Sequence, residues 1–365
     1  MKQGFPLIGK QKVGILTITY NHSKYIEETL EGFSIQQTDF PFFCFVFDDA
    51  STDGEQEILK RWVENHCNLN EIEEYDHPLT IILKAPDKNN PNCVYVIHLQ
   101  KVNTWGKPVK QDMLSHWEEQ CEYIAMCEGD DYWIDSRKLQ KQISFMDANQ
   151  EFSMVCSAGK ILTPQGFTNR GVIGEAIELL PKDLIKGFWG YIPTASILYR
   201  RSVLESYPEF CKKCSVGDRP LKLYCVLNGR VYYLNEEQVV YRYNNSEGGS
   251  WSARFSKDVS MRLAHHESLA QLEYELDVYS QRKYHQHFSR MRALRVIKSI
   301  NIDPKHTKEV LLKMQTIVPE YKEFLTHTEK IKLFMIVKFP SINILIRKLR
   351  NIIKQIVNFV LKHSC

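Results

Sequence analysis

The sequence predicts an α/β fold, an open and largely parallel sheet with helices on its faces and a helical extension toward the C-terminal end. Three observations predict it. Apolar runs rich in β-branched and aromatic residues, Val13 to Thr19, Phe42 to Phe47 and Tyr123 to Cys127, have the length of buried strands. The first two are followed by helical patterns, with Ile26, Leu30 and Phe33 on one face and then Ile58, Leu59, Trp62 and Val63 on another. Each run ends in a polar or acidic loop, and in an open sheet of this kind such loops line the crevice where nucleotides bind.

The first strand leads into Thr19-Tyr20-Asn21-His22-Ser23, where Ser23 is expected to cap the helix that follows. The second ends in Asp48-Asp49-Ala50-Ser51-Thr52-Asp53-Gly54. That loop has the first, third, fifth and sixth residues of a calcium loop, but Lys60 stands at the twelfth place, which needs a bidentate Glu. Calcium is therefore excluded. A carboxylate at this position, Asp48 or Asp49, suits hydrogen bonds from a base N–H or from ribose hydroxyls.

The third strand ends in Glu128-Gly129-Asp130-Asp131-Tyr132-Trp133. Three carboxylates in four positions repel one another at neutral pH unless a cation sits among them. A hard divalent ion takes few protein carboxylates and completes its shell with water and phosphate oxygens, so the cluster suits a metal-diphosphate site. The plainer reading of the same residues is a turn and a helix cap.

In this order the motifs Thr17 to Asn21, Asp48 to Gly54 and Tyr123 to Trp133, followed by Lys138-Leu139-Gln140-Lys141-Gln142, resemble the bacterial family 2 glycosyltransferases. The resemblance continues through Ile192 to Ser196, Tyr199-Arg200-Arg201, Gly217-Asp218-Arg219-Pro220-Leu221, Gly229-Arg230-Val231 and Tyr241-Arg242-Tyr243 to Gly248-Gly249 and Trp251-Ser252. It implies the nucleotide-diphospho-sugar transferase (GT-A) fold, a Rossmann-like mixed sheet flanked by helices. It also implies sugar transfer, inverting and metal-dependent, from a nucleotide-sugar donor, UDP-linked first among the candidates. The acceptor would be a glycan or lipid-linked hydroxyl in bacterial surface-polysaccharide or lipopolysaccharide assembly, and the enzyme a hexosyltransferase.

By the same resemblance Asp48 and Asp49, with backbone groups of Thr19 and Tyr20, hold the nucleoside. Asp130, helped by Glu128 or Asp131, holds Mg2+ or Mn2+ on the diphosphate, which Arg242 can also reach. Asp218 is the general base. Two departures stand out: Cys93 to Lys110 lacks the family's Asn- and Gly-rich stretch, and Asn244 replaces a His often found there. Loops such as Cys93 to Lys110 and Ile161 to Lys186 are expected to shape the donor-sugar pocket. On local grounds alone Asp218 is a turn residue, Arg242 a surface residue of a strand, and Trp133 and Trp251 packing residues rather than sugar platforms.

Two other functions share these features. A sugar-phosphate nucleotidyltransferase would normally carry a Gly-rich basic phosphate loop after the first strand, and Tyr20 to Ser23 contains neither Gly nor Arg. A noncatalytic sugar- or membrane-surface binding module could keep the fold, although acids are intact at every motif.

At 365 residues, 43% apolar and 25% charged, the chain can bury a catalytic core over residues 1–255 and add helices over 256–330. Met1 to Lys12 lacks the apolar core of a signal peptide, and the ten scattered cysteines read as reduced thiols, so a cytoplasmic protein is expected. Cys211 and Cys214 form a Cys-x-x-Cys without a second pair at zinc-ribbon spacing. Residues 331–365 carry seven Lys or Arg and no acid, a charge of +7 against −4 for the rest. Ile342, Leu345, Ile346, Leu349, Ile352, Ile353 and Ile356 share one helical face there, opposite Arg347, Lys348, Arg350 and Lys354. That basic amphipathic helix suits an anionic membrane surface, peripherally on the inner face of the cytoplasmic membrane, better than nucleic acid, for which no recognised fold appears. Docking on protein is its plainer use, and the oligomeric state is left open.

Overall fold

The computed structural model describes residues 9–168, 175–187, 192–243 and 251–340, except the side chain of Trp251. The stretches around Asn244 and Gly248-Gly249 and the amphipathic tail from residue 341 onward lie outside the described residues, whereas residues 331–340 are described. The chain divides into two compact units.

The first unit comprises residues 1–208 and 221–254. It opens with β1 (Gln11–Thr19), α1 (Ile26–Ser34), β2 (Phe42–Asp48), α2 (Glu55–His66), β3 (Glu73–His77), β4 (Thr80–Pro86), β5 (Cys93–Gln100) and α3 (Pro108–Glu118). There follow β6 (Cys121–Met126), β7 (Tyr132–Trp133), α4 (Lys138–Ala148), β8 (Phe152–Thr163), β9 (Gly166–Thr168), β10 (Ile177–Leu179), α5 (Pro181–Lys186) and β11 (Leu198–Arg200). A short α6 (Glu209–Lys212) belongs to the second unit, α7 (Asp218–Leu227) runs across the boundary, and β12 (Arg230–Arg242) returns to the sheet.

The sheet order is β10-β12-β8-β11-β6-β1-β2-β5-β4-β3, with β7 on β12 and β9 on β8. Its centre, β6-β1-β2-β5, is parallel throughout, as the strand-loop-helix recurrence predicts. Strands buried on both faces read as continuous apolar runs, and every residue of β2 is buried. A mixed sheet flanked by helices, as expected from the sequence, is therefore the fold. Its core joins Val13, Ile15, Phe42, Cys44 and Val46 to Leu30, Phe33, Leu59 and Trp62 of the covering helices.

Three local expectations are corrected. Cys93 to Lys110 is not a loop: Cys93–Gln100 is β5, paired parallel to β2, and only residues 101–107 connect it to α3. Ile161 to Lys186 likewise contains the end of β8, β9, β10 and α5. Ser23 does not cap α1, which starts at Ile26 after Tyr25 without a side-chain cap; the Ser23 N–H instead donates to Asp53 Oδ2 at 2.9 Å.

The second unit comprises residues 209–220 and 255–365. The helix α8 (Trp251–Lys257) leads into α9 (Val259–Tyr279), α10 (His285–Ile302), α11 (Thr307–Ile317) and α12 (His327–Lys338). These helices build a core of their own from Ala270, Val296, Ile300, Val310, Met314, Leu333 and Ile336. Among the described residues no helix is long and apolar enough to cross a membrane.

Candidate donor and metal site

Three loops converge because three parallel strands end side by side. Thr19 is in register with Asp48, and Leu16 with Met126. Backbone pairing carries on past the strand ends: the Asp49 N–H donates to the Thr19 carbonyl (3.0 Å), Cys127 N–H to Leu16 (3.1 Å) and Gly129 N–H to Ile18 (3.2 Å). Thr19, Asp49 and Gly129 are thereby fixed to one another, while Tyr20 is exposed at the turn.

Glu55, the first residue of α2, ties the first two loops together and was not anticipated from the sequence. It is fully buried, accepts the His22 N–H (2.9 Å) and the Ser51 hydroxyl (2.8 Å) on Oε2, and takes the Thr19 hydroxyl on Oε1. Burial pushes its carboxyl up to about 7, against the pull of those hydrogen bonds. Asn21 reinforces the link: its N–H donates to Ser51 Oγ (2.9 Å) and its Oδ1 accepts from Thr52 N–H (2.7 Å). Asn21 (φ 59°) and Ala50 (φ 62°) both lie in the left-handed region, which costs a residue with a Cβ about 1–2 kcal/mol. Strain of that kind is retained where surrounding bonds over-determine the backbone.

Asp48 and Asp49 are both buried but differ in what they hold. Asp48 Oδ1 accepts from Ser51 N–H (3.1 Å) and from Gln56 Nε2 (2.5 Å), while its Oδ2 is buried without a hydrogen-bond partner. Burial raises its pKa. The Asp49 carboxylate is occupied: Oδ1 accepts from Thr104 N–H (2.6 Å) and Oγ1 (2.7 Å), and Oδ2 pairs with Lys110 Nζ at 3.0 Å. Asn103 Nδ2 donates to the Asp49 carbonyl (2.8 Å), so Asp49 anchors the 101–107 connection. Lys110 lies 5.4 Å from the ring centre of Trp105, which is 70% exposed. Thr104, Trp105 and Lys110 sit more than fifty residues from Asp49 and carry no local motif.

The acidic loop approaches β1 so closely that position 129 admits only glycine. A Cβ there would lie 2.2 Å from Thr19 Oγ1 and 2.5 Å from Thr19 Cβ. Asp130 is half-buried with its Oδ2 3.9 Å from His22 Nε2. Burial lowers the His22 pKa, with Asp130 and Asp53 opposing. The Asp131 carboxylate turns inward: Oδ1 accepts the Arg242 N–H at 2.9 Å, and Oδ2 is buried without a hydrogen-bond partner. Burial first, then Asp130 and Glu128, push its pKa well above the usual carboxylate range. Those two couplings place Glu128, Asp130 and Asp131 in one cluster of negative charge. Among the described residues no group of three His, Cys, Asp or Glu has metal-binding geometry.

Arg242, at the end of β12, braces this loop. Its guanidinium donates to the Asp130 carbonyl (2.5 Å), pairs with Glu28 of α1, and lies 4.8 Å and 4.4 Å from the ring centres of Tyr25 and Tyr132. Burial pulls its pKa down to about 10. Behind the loop, the fully buried Lys138 donates to Gln142 Oε1 (2.9 Å) and sits 4.0 Å from the centre of the buried Trp133 ring. Gln142 in turn donates to the Ser196 carbonyl (2.8 Å), and Trp133 Nε1 to that of Ala195 (2.9 Å).

Asp218 lies in the second unit and opens α7. Its field is one of the influences on His265, whose pKa falls to about 4 chiefly through burial, and on Arg219, which lies 3.7 Å from the buried Glu273.

Residues 14–85 match the model of glycosyl transferase family 2. Uncharacterized proteins of Mycobacterium tuberculosis and Mycobacterium bovis are each 27% identical to the chain over 246 residues, covering 67% of it. The chain spans 62% of the length of these curated relatives. Staphylococcus aureus TarS 1–349 in complex with UDP-GlcNAc is 15% identical, with a TM-score of 0.48 over 87% of this chain and 93% of that one. The mannosyltransferase PcManGT of Pyrobaculum calidifontis, in complex with GDP-Man and Mn2+, is 15% identical, with a TM-score of 0.42 over 93% and 90%. Likeness at that level says nothing of donor, metal or acceptor for this chain.

Proposed function

We propose that this chain, whose residues 14–85 match the model of glycosyl transferase family 2, moves a sugar from a nucleoside-diphosphate donor, UDP-linked first among the candidates, to a hydroxyl of a glycan or lipid-linked acceptor. The transfer inverts the anomeric centre, uses a divalent ion, and serves bacterial surface-polysaccharide or lipopolysaccharide assembly. The observation that carries the reading is the meeting, at the ends of β1, β2 and β6, of a buried carboxylate with an unpartnered acceptor atom, Asp48 Oδ2, and a partly buried one, Asp130, on a loop braced from three sides.

Asp48 accepts from the nucleoside, beside the backbone of Thr19 and Tyr20. Asp49, already engaged by Thr104 and Lys110, contributes by fixing the 101–107 connection against the nucleoside site. Mg2+ or Mn2+ fits Asp130, because such an ion needs only one or two protein ligands when phosphate oxygens and water complete its shell. Neutral His22, 3.9 Å away, is a second donor that suits Mn2+ better than Mg2+. The ion, when bound, offsets charge developing on the departing nucleoside diphosphate. Glu128 lies beside it in the same cluster, and the inward turn of Asp131 makes that residue a brace for the loop.

An acceptor hydroxyl is a poor nucleophile and must lose its proton as it attacks C1 of the sugar. A single in-line displacement needs one base, and Asp218 is assigned to it. Arg242 holds the acidic loop through the Asp130 carbonyl.

The test is nucleoside diphosphate release by the purified full chain from a panel of UDP- and GDP-sugars, with Mg2+ or Mn2+ and with EDTA. Metal-dependent release from one donor supports the reading. Nucleotide-sugar synthesis from a nucleoside triphosphate and a sugar phosphate would favour a nucleotidyltransferase instead, and absence of any donor binding a noncatalytic module.

A further inference from the structure

Helix α12 has two different faces. Leu333 and Ile336 are buried in the core of the second unit, and a capping box of Thr326 and Glu329 fixes the start of the helix. Glu329 also takes both terminal nitrogens of Arg290, at 2.6 Å and 2.7 Å. The other face is apolar and open: Ile331, Phe334, Met335 and Phe339 are 51%, 60%, 43% and 42% exposed. At helical spacing these four fall on one side, with exposed Lys338 among them and exposed Lys330 and Lys332 on the two shoulders. A rigidly held helix presenting large apolar side chains between flanking lysines is the pattern of an element lying in a membrane interface.

We propose that this face of α12 is seated in the surface of an anionic bilayer, with Phe334 and its apolar neighbours at the headgroup boundary and the three lysines on lipid phosphates. The inference deepens the reading of a lipid-linked acceptor and rests on it only for its purpose. Charge selects this occupant over two others. A second copy docked about a two-fold axis would set lysine-bearing faces against each other. The chain's own C-terminal segment offers no counter-charge, since residues 330–365 contain eight Lys or Arg and no Asp or Glu. Anionic headgroups supply the missing charge, and lysine stems reach toward them over the apolar surface.

The test uses three full-length proteins: wild type, Phe334→Ser with Met335→Ser, and Lys330→Glu with Lys332→Glu. Each is sedimented with vesicles of phosphatidylcholine alone or with about one third phosphatidylglycerol. The wild type is expected to bind the anionic vesicles, to be released by added salt, and to bind neutral vesicles at least tenfold more weakly. Each variant should bind anionic vesicles at least tenfold more weakly than wild type while releasing nucleoside diphosphate in solution at the wild-type rate. Unchanged vesicle binding by the folded variants overturns the proposal. So does a wild-type dimer that the serine variant converts to monomer, or a serine variant that melts well below wild type because its own chain covered the face. The glutamate variant tests the contact should the serine variant not fold. Absence of nucleoside diphosphate release from any donor would remove the transferase reading and leave the vesicle result standing.

Discussion

Gly129→Ala probes the closest approach in the site. The new Cβ would meet Thr19 Oγ1 at 2.2 Å and Thr19 Cβ at 2.5 Å, where non-bonded atoms settle at about 3.5–4.0 Å. The Thr19 hydroxyl cannot simply turn aside, since it donates to Glu55 and lies 3.1 Å from His22 Nδ1. Its Cβ moves only with β1. The acidic loop must therefore shift by roughly 1 Å, straining the Gly129 N–H bond to Ile18 and carrying Asp130 with it. Overpacking of this kind costs about 1–3 kcal/mol, and displacing a reacting group by about 1 Å can cost on the order of 100-fold in rate. The expected outcome is a lower melting temperature and a nucleoside diphosphate release rate down by about 100-fold, with metal-dependent donor binding weakened in parallel. Wild-type melting and turnover together would refute the claim that this contact positions the loop.

Asp218→Asn is expected to lower transfer by about 100-fold or more while leaving donor and metal binding near wild type, the pattern of a lost general base; an equal collapse of donor binding would make Asp218 structural. Glu55 carries a pH prediction. Its folded pKa, about 7, lies above the ordinary glutamate value of 4.5, so between those values the native state holds a proton that the unfolded chain has released. That contribution is complete below pH 4.5 and fades as pH rises through 7, on the order of 3 kcal/mol as an upper figure. Denaturant titrations of wild type and Glu55→Gln should differ in slope over that window, and matching slopes would remove the argument. Arg242→Lys keeps the charge but cannot bridge Glu28 and the Asp130 carbonyl while stacked between Tyr25 and Tyr132. Donor release should fall at least tenfold, and an unchanged rate would mean the loop holds without that brace.

The parallel centre of the sheet was legible because strands buried on both faces cannot afford polar positions, and the loops after them stood out by their acids. The Cys93 to Leu99 run is mostly apolar, like β2, and rich in β-branched residues, yet the expectation of a pocket loop placed it wrongly, since the family resemblance is weakest there. Glu55 was hidden for another reason: an acid in the first turn of a helix ordinarily serves the helix dipole. Only the convergence of the Thr19, His22 and Ser51 donors from two loops makes it a buried strut. Thr104 and Lys110 belong to the same class, partners joined by topology across a long separation in sequence. Regular pattern also failed at the α9–α10 junction, where Gln281 (φ 52°) and Arg282 (φ 58°) break the helix without a Gly or Pro to announce it. In β12, register shifts between Leu234 and Val239 blur the alternation that would mark a strand.

The central claim is that Asp130 holds a divalent ion against the donor diphosphate, and calorimetric titration of the full chain with a nucleoside diphosphate tests it most directly. For the wild type, Mn2+ or Mg2+ should tighten binding at least tenfold over EDTA. For Asp130→Asn, which keeps the side-chain shape but removes the anionic ligand, affinity should be the same with and without metal, and transfer should be lost. A variant that kept both the metal-dependent gain and near-normal turnover would contradict the account.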